Sequence, residues 1–309
     1  MSKFEQLRIV FFGTPDFAVA SLDALVKAGA NVVAVVTAMD KPAGRGMQVS
    51  QSAVKQYAVA HNLAVLQPEK MKAPEFLEQL KTLNADLQVV VAFRMMPEVV
   101  WNMPPMGTIN VHGSLLPQYR GAAPINWAIA NGETETGVTT FKLKHEIDTG
   151  DILLQQAVPI LPEDNAGTMH DKLMEAGAQL LVKTVQELAE GTINEVPQQY
   201  GTGELKNAPK IFKENLAIDW HRQVKEISDF VRGMAPYPAA YALLGDKNLK
   251  IFSASYKQEE HSKPTGTYET DNSTYLRFAA ADGWLYVTEL QLEGKKRMLV
   301  TDFLRGFRV

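Results

Sequence analysis

Asn110 and His112 stand one residue apart at the end of a short apolar run, T-I-N-V-H. Alternate residues of a strand point to one side, so the spacing predicts an amide and an imidazole leaving the same face. Such a pair suits acyl transfer: the amide N–H can donate to a developing oxyanion while the imidazole moves a proton. A carboxylate that orients the ring is the usual third member. Asp148, within H-E-I-D-T-G-D, is the candidate. It falls at a turn between two apolar runs, 137–143 and 152–158, which read as strands. An Asp at such a turn serves equally well as an Asx-turn residue closing on its own backbone, and spacing leaves both roles open. The three side chains could in principle hold a metal, but none has zincin-type spacing, and no metal is expected.

Something must position these groups. Gly113, Pro117, Gly121 and Pro124 fall within a dozen residues of His112, which predicts an ordered loop and no regular element. In open α/β sheets, ligands sit outside the carboxyl ends of strands, so a polar pair at a strand end followed by such a loop has a catalytic address. Upstream, residues 7–12 (L-R-I-V-F-F) read as a buried strand. A helix follows to Gly29, with Phe17, Leu22, Leu25 and Val26 on one face, and then a strand at 31–36. This is a βαβ start without G-x-G-x-x-G, which disfavours a dinucleotide. Helices are predicted over 51–61, 74–83, 123–130 and 168–190, and strands over 64–66 and 87–93. Strands alternating with helices imply an α/β fold with a largely parallel sheet. Residues 37–52 form a long Gly- and Pro-bearing loop, of the length that tends to be functional. After the polar stretch 201–209, a helix is expected over 215–233, followed by short runs at 240–244, 249–255, 266–268, 275–279 and 285–290. That spacing indicates a small barrel. The expected domains are therefore residues 1–206 and 207–309.

The 309 residues suffice for two domains. There is no cysteine, which excludes disulfides, thiolate metal sites and a cysteine nucleophile. The N-terminal residues have no apolar signal region and no run reaches membrane length, so a cytoplasmic protein without a membrane partner is expected. Residues 1–206 hold 16 Lys and Arg against 22 Asp and Glu, net −6, whereas residues 207–309 hold 15 against 13, net +2. The second part can therefore tolerate a phosphate-rich partner better than the first.

The run N-V-H-G-S-L-L-P-Q-Y-R-G-A-A-P-I followed by D-T-G-D resembles the folate-dependent formyltransferases. F-F-G-T-P-D-F-A, K-P-A-G-R-G and F-V-R-G-M-A-P-Y-P-A-A point to the branch of that family that formylates initiator methionyl-tRNA. The resemblance runs from about Leu7 to the end of the chain and weakens after Tyr241. It implies a Rossmann-like domain joined to an OB-like β-barrel that binds tRNA. It implies formyl transfer from 10-formyltetrahydrofolate to the α-amino group of methionine, by a monomer and without metal. Asn110 then donates to the oxyanion. His112 bonds the same oxygen or protonates the leaving nitrogen, and Asp148 holds the imidazole and helps take the amine's proton. Ser114, Leu115, Leu116 and Pro117 would line the folate site, with Phe93 and Met95 opposite. Arg45, in the loop 40–46, would contact tRNA. Arg94 stands where many members have a small residue, and its role is left open between folate and solvent. The sharp bend at Leu116–Pro117 leaves cis and trans both open.

Three other readings compete. One is a related transferase or hydrolase acting on a small amine or on 10-formyltetrahydrofolate itself, which needs no barrel. The second is an oxidoreductase, disfavoured by the absent glycine fingerprint. The third is a non-catalytic RNA-binding module, disfavoured by the Asn–His–Asp set.

Overall fold

The computed structural model describes residues 2–43, 48–200 and 203–306. The chain forms two compact units: residues 1–120, 137–158 and 171–206 make the first, and residues 121–136, 159–170 and 207–309 make the second.

The first unit is built on a seven-stranded sheet. Its strands are β1 (Arg8–Gly13), β2 (Asn31–Val36), β3 (Val65–Leu66), β4 (Leu87–Val91), β5 (Thr108–His112), β6 (Glu135–Lys142) and β7 (Ile152–Pro159). Their spatial order is β7-β6-β5-β4-β1-β2-β3. Strands β3 to β5, with β1 and β2 between, are parallel; β6 runs antiparallel to β5. The order reverses between β1 and β4, the place where open α/β sheets keep their crevice. Strand β1 is a continuous apolar run because helices cover both of its faces, and Ile9, Val10, Phe11 and Phe12 are all fully buried.

The helices of this unit that matter for the site are α1 (Asp16–Lys27), α2 (Ala53–Ala60), α3 (Pro74–Thr82) and, after the loop, α5 (Ala166–Glu190), which belongs to this unit from Asp171 onward. Helix α1 ends at Gly29, whose φ of 86° is the left-handed conformation glycine accepts readily. Asp16 does not cap it: Pro15 is the N-cap, and Asp16 sits in the first turn, where a negative charge favours the helix dipole. Gly177 of α5 packs against Val111 of β5. Val111 therefore faces the helix, and Asn110 and His112, on either side of it, take the opposite face.

The second unit contains α4 (Pro124–Ala130), α6 (Val224–Met234) and α7 (Val300–Gly306). Its antiparallel sheet comprises β8 (Ala240–Leu244), β9 (Lys247–Gln258), β10 (Tyr268–Thr270), β11 (Leu276–Ala279), β12 (Gly283–Leu292) and β13 (Met298–Leu299). The order is β8-β9-β12-β11-β10, with β13 also on β12. Register shifts between Ile251 and Ala254 bend β9 against β12, and such irregularities raise local twist. The sheet curls into a half-barrel over a core that includes Val231, Leu249, Phe278 and Leu290. The helix expected over 215–233 is shorter: residues Lys213–Leu216 form a single 3-10 turn, and the α-helix starts only at Val224. Trp127 Nε1 donates to the Pro209 carbonyl, and Asn126 Nδ2 donates to the Gly233 carbonyl, within this unit.

Among the described residues no helix is long and apolar enough to cross a membrane.

Candidate functional site

Strands β4 and β5 end side by side, with Val90 opposite Asn110 and Val91 opposite Val111. On the other side, Asn110 pairs with Phe141 and His112 with Thr139 of β6. The β5 run thus carries its polar pair to the carboxyl edge of the sheet, with Asn110 half-buried and His112 only 6% exposed.

The imidazole is fixed on both sides. Its Nε2 lies 2.8 Å from the backbone carbonyl oxygen of Tyr119. A carbonyl only accepts, so Nε2 holds the proton and donates. Nδ1 is then the nitrogen turned toward Asp148, whose Oδ2 stops 3.8 Å away. That gap is longer than a direct hydrogen bond. The ring also meets Phe141 edge-on, with centroids 6.4 Å apart, which restricts its tilt.

Asp148 reaches this position by a turn with φ of 54°. Asx residues tolerate the left-handed region better than most. Two residues on, a Cβ at Gly150 would run into the Lys142 carbonyl oxygen, so only glycine lets the turn lie against β6. Lys142 Nζ forms an ion pair with Glu195. Asn110, His112 and Asp148 all belong to the first unit.

The loop after His112 is held by side chains that a linear reading does not single out. Thr139 Oγ1 donates to the Ser114 carbonyl at 2.7 Å and accepts from Leu116 N–H at 3.1 Å. Gln155 Nε2 donates to the Leu116 carbonyl and to Thr139 Oγ1, each at 2.9 Å. Ser114 Oγ donates to the Gln118 carbonyl at 2.6 Å. The Leu116–Pro117 bond is cis, as are Ala235–Pro236 and Tyr237–Pro238 in the second unit. Thr139 and Gln155 lie in apolar strands, where their types give no local signal; only the pairing of β6 and β7 brings them to the loop.

Within the proposed folate wall the residues differ in surface. Ser114 and the Leu116 side chain are buried, whereas Leu115 and Pro117 are half-buried. Leu115 packs close to Gly137, where a Cβ would collide with it. Phe93 is half-buried and meets Phe12 edge-on at 5.7 Å. Met95 is 77% exposed. Arg94 turns to the chain itself: Nη2 donates to the Pro68 carbonyl at 2.6 Å and Nη1 to the Glu69 carbonyl at 3.2 Å. It braces the segment after β3.

Arg45 lies outside the described residues. The flanks of its loop, Lys41–Ala43 and Gln48–Ser50, pair as a short antiparallel ladder. At the start of this segment Asp40 accepts from Lys55 Nζ at 2.5 Å and from Gln67 Nε2 at 2.8 Å. The Lys55 hydrogen bond, followed by that of Gln67, holds the Asp40 carboxyl below its ordinary pKa. Among the described residues no group of three or more His, Asp and Glu side chains is arranged to hold a metal ion.

Known proteins match this arrangement along the whole chain. The formyl transferase family matches residues 7–185, and the formyl transferase C-terminal domain family matches residues 210–308. A relative from Parabacteroides distasonis named methionyl-tRNA formyltransferase is 56% identical, over 99% of this chain and 97% of its own length. One of the same name from Flavobacterium johnsoniae is 49% identical, over 98% and 96%. A crystal structure of an N-formyltransferase from Helicobacter canadensis, in complex with folinic acid and dTDP-3-aminofucose, superposes with a TM-score of 0.68 at 20% identity, covering 94% of this chain and all of that one. That last likeness is one of fold.

Proposed function

Because this chain belongs to the formyl transferase family, we infer that it transfers the formyl group of 10-formyltetrahydrofolate to the α-amino group of methionine on initiator tRNA. The observation that carries this reading is the full-length match to relatives named methionyl-tRNA formyltransferase, in which the second unit is included.

The folate co-substrate supplies an activated formyl group; the chain must bind it, direct its oxygen and move two protons. Asn110, half-buried at the strand end, donates from its side-chain amide to the formyl oxygen as negative charge develops there. Nδ1 of His112 is free of the Tyr119 bond and serves as the proton-handling nitrogen. When it takes a proton, the imidazolium lies beside the Asp148 carboxylate, and the two opposite charges stabilise each other in a largely buried place. The 3.8 Å gap leaves Asp148 able to accept a hydrogen bond from the attacking amine as well. Water is limited because both side chains are mostly covered.

The residues fit a flat, partly apolar ligand. Leu115, Pro117, Phe93 and Met95 present apolar surface on neighbouring strand ends, and Met95 is well exposed although apolar. Ser114 and Leu116 set the loop's shape through their hydrogen bonds and burial. Arg45 is assigned to tRNA on the resemblance of its loop. Residues 207–309, which hold 15 Lys and Arg against 13 Asp and Glu, are assigned the greater share of phosphate contact.

The test is formylation of charged initiator tRNA by the purified protein, with 10-formyltetrahydrofolate present or withheld. Formyl-methionyl-tRNA is expected only with the donor and only from charged tRNA. Transfer to a small amine with none to tRNA would overturn the reading.

A further inference from the structure

The Asp148 turn is held from outside by a side chain that the mechanism above does not use. Gln198 is 8% exposed. Its Nε2 donates to the backbone carbonyls of Asp148 and Gly150, each at 2.8 Å. Its Oε1 accepts from Arg120 Nε at 3.1 Å and Nη2 at 2.5 Å. Guanidinium groups only donate and carbonyls only accept, so one orientation of the amide satisfies all four bonds. Arg120 is fixed in turn by Tyr200. Both Nη atoms lie 3.2 Å from the phenol oxygen, and the guanidinium lies 5.1 Å over the ring centroid.

This clamp acts where the backbone needs one. Asp148 occupies the left-handed region, which costs free energy for any residue other than glycine and persists only under external restraint. Gly150 lies against β6 on one side of the turn, and the Gln198 amide closes the other. Between these two restraints the Asp148 carboxylate is aimed at His112.

We propose that Gln198 is a positioning residue for formyl transfer: oriented by Arg120, its amide holds the Asp148–Gly150 turn so that the carboxylate faces His112 Nδ1. The proposal rests on the catalytic role given to Asp148. It joins both members of the His–Asp pair to adjacent residues of one loop. The Tyr119 carbonyl accepts the Nε2–H hydrogen bond of the imidazole, and Arg120 reaches Asp148 through Gln198. Acting through the turn, Gln198 should affect turnover and leave substrate docking alone.

Two variants of the full-length protein test it. Gln198→Met removes all four hydrogen bonds at similar volume. Gln198→Glu keeps an acceptor for Arg120 and removes only the donor to the turn. In steady-state formylation of charged initiator tRNA, both are expected to lose about 10- to 100-fold in kcat, with KM for tRNA and folate changed less than about twofold. Thermal unfolding of each variant is followed alongside. If Gln198→Met does not fold, Gln198→Glu decides the matter. Combining the Gln198 variant with Asp148→Asn should add less than about twofold to the loss from Asp148→Asn alone, since one acts through the other. Multiplying losses would overturn the proposal, as would wild-type kcat in a folded Gln198→Glu protein. A lowered unfolding temperature with normal kcat would reduce Gln198 to a structural role. Normal turnover by Asp148→Asn would instead remove the role of Asp148 on which the proposal stands, and that result is separate from any Gln198 result.

Discussion

The Tyr119 carbonyl determines which nitrogen of His112 carries the proton. Its carbonyl oxygen sits 2.8 Å from Nε2 and accepts a hydrogen bond from it, so Nε2 keeps its proton and Nδ1 is the nitrogen turned toward Asp148. Replacing His112 by Ala should lower kcat by ~10²–10⁴, the usual contribution of a positioned proton-transfer group. Folate affinity, measured by equilibrium binding, should stay near wild type because the role lies in the transition state. Near-normal single-turnover rates would remove His112 from the reaction.

Asn110→Ala should cost roughly 2.7–4 kcal/mol of barrier lowering, as the loss of other oxyanion donors does. Its half-buried position between β4 and β6 predicts little change in unfolding temperature. A rate within threefold of wild type, an effect well under ~1 kcal/mol, would assign the oxyanion to some other donor.

Asp148→Asn and Gly150→Ala separate charge from shape in the same turn. The first keeps the geometry, tolerates the left-handed backbone and removes the charge, so it should slow turnover with the protein still folded. The second drives a methyl group into the Lys142 carbonyl and should destabilise the fold by about 1–3 kcal/mol or more. Unchanged thermal stability of the Gly150→Ala protein would show that the turn can move away from β6.

Asp40 offers a pH test at the base of the Arg45 loop. Hydrogen bonds from Lys55 and then Gln67 depress its pKa. A depressed carboxyl contributes stability that is present above its unfolded pKa and is lost as pH falls through the folded value. Lys55→Met should move the Asp40 titration, followed by NMR, back up toward the ordinary carboxylate range. An unmoved titration would assign the depression to some other group.

Arg45→Ala should weaken use of charged tRNA while leaving folate binding unchanged. The remaining tRNA affinity should fall less steeply with salt, since one phosphate contact has gone. An identical salt slope would place Arg45 in solvent.

The elements that were legible in the sequence are those whose local pattern and packing agree. Strand β1 carries four consecutive apolar residues, Ile9 to Phe12, deep in a sheet. Helix α1 repeats its apolar face and stops at Gly29. The i,i+2 spacing of Asn110 and His112 and the turn at Asp148 were readable for the same reason. What escaped was long-range pairing. Thr139, Gln155 and Gln198 matter because strands and a return segment carry them to the loop and to the turn, and nothing in their immediate neighbours announces it. Arg94 was undecided in the sequence because a charged side chain after a strand usually faces water. Its two backbone acceptors come from residues 68 and 69, some 25 positions earlier.

The second unit takes two of its pieces, residues 121–136 and 159–170, from the middle of the chain. On a ribosome these pieces emerge long before the half-barrel exists. Asn126 must wait for Gly233, 107 residues later, before its side-chain amide has an acceptor. At elongation rates of about 5–20 residues per second the delay is roughly 5–20 s. During that interval Trp127, Ala130 and their neighbours have no partner core. Pausing of synthesis between residues 136 and 233 would lengthen the time for which this apolar surface lacks its core.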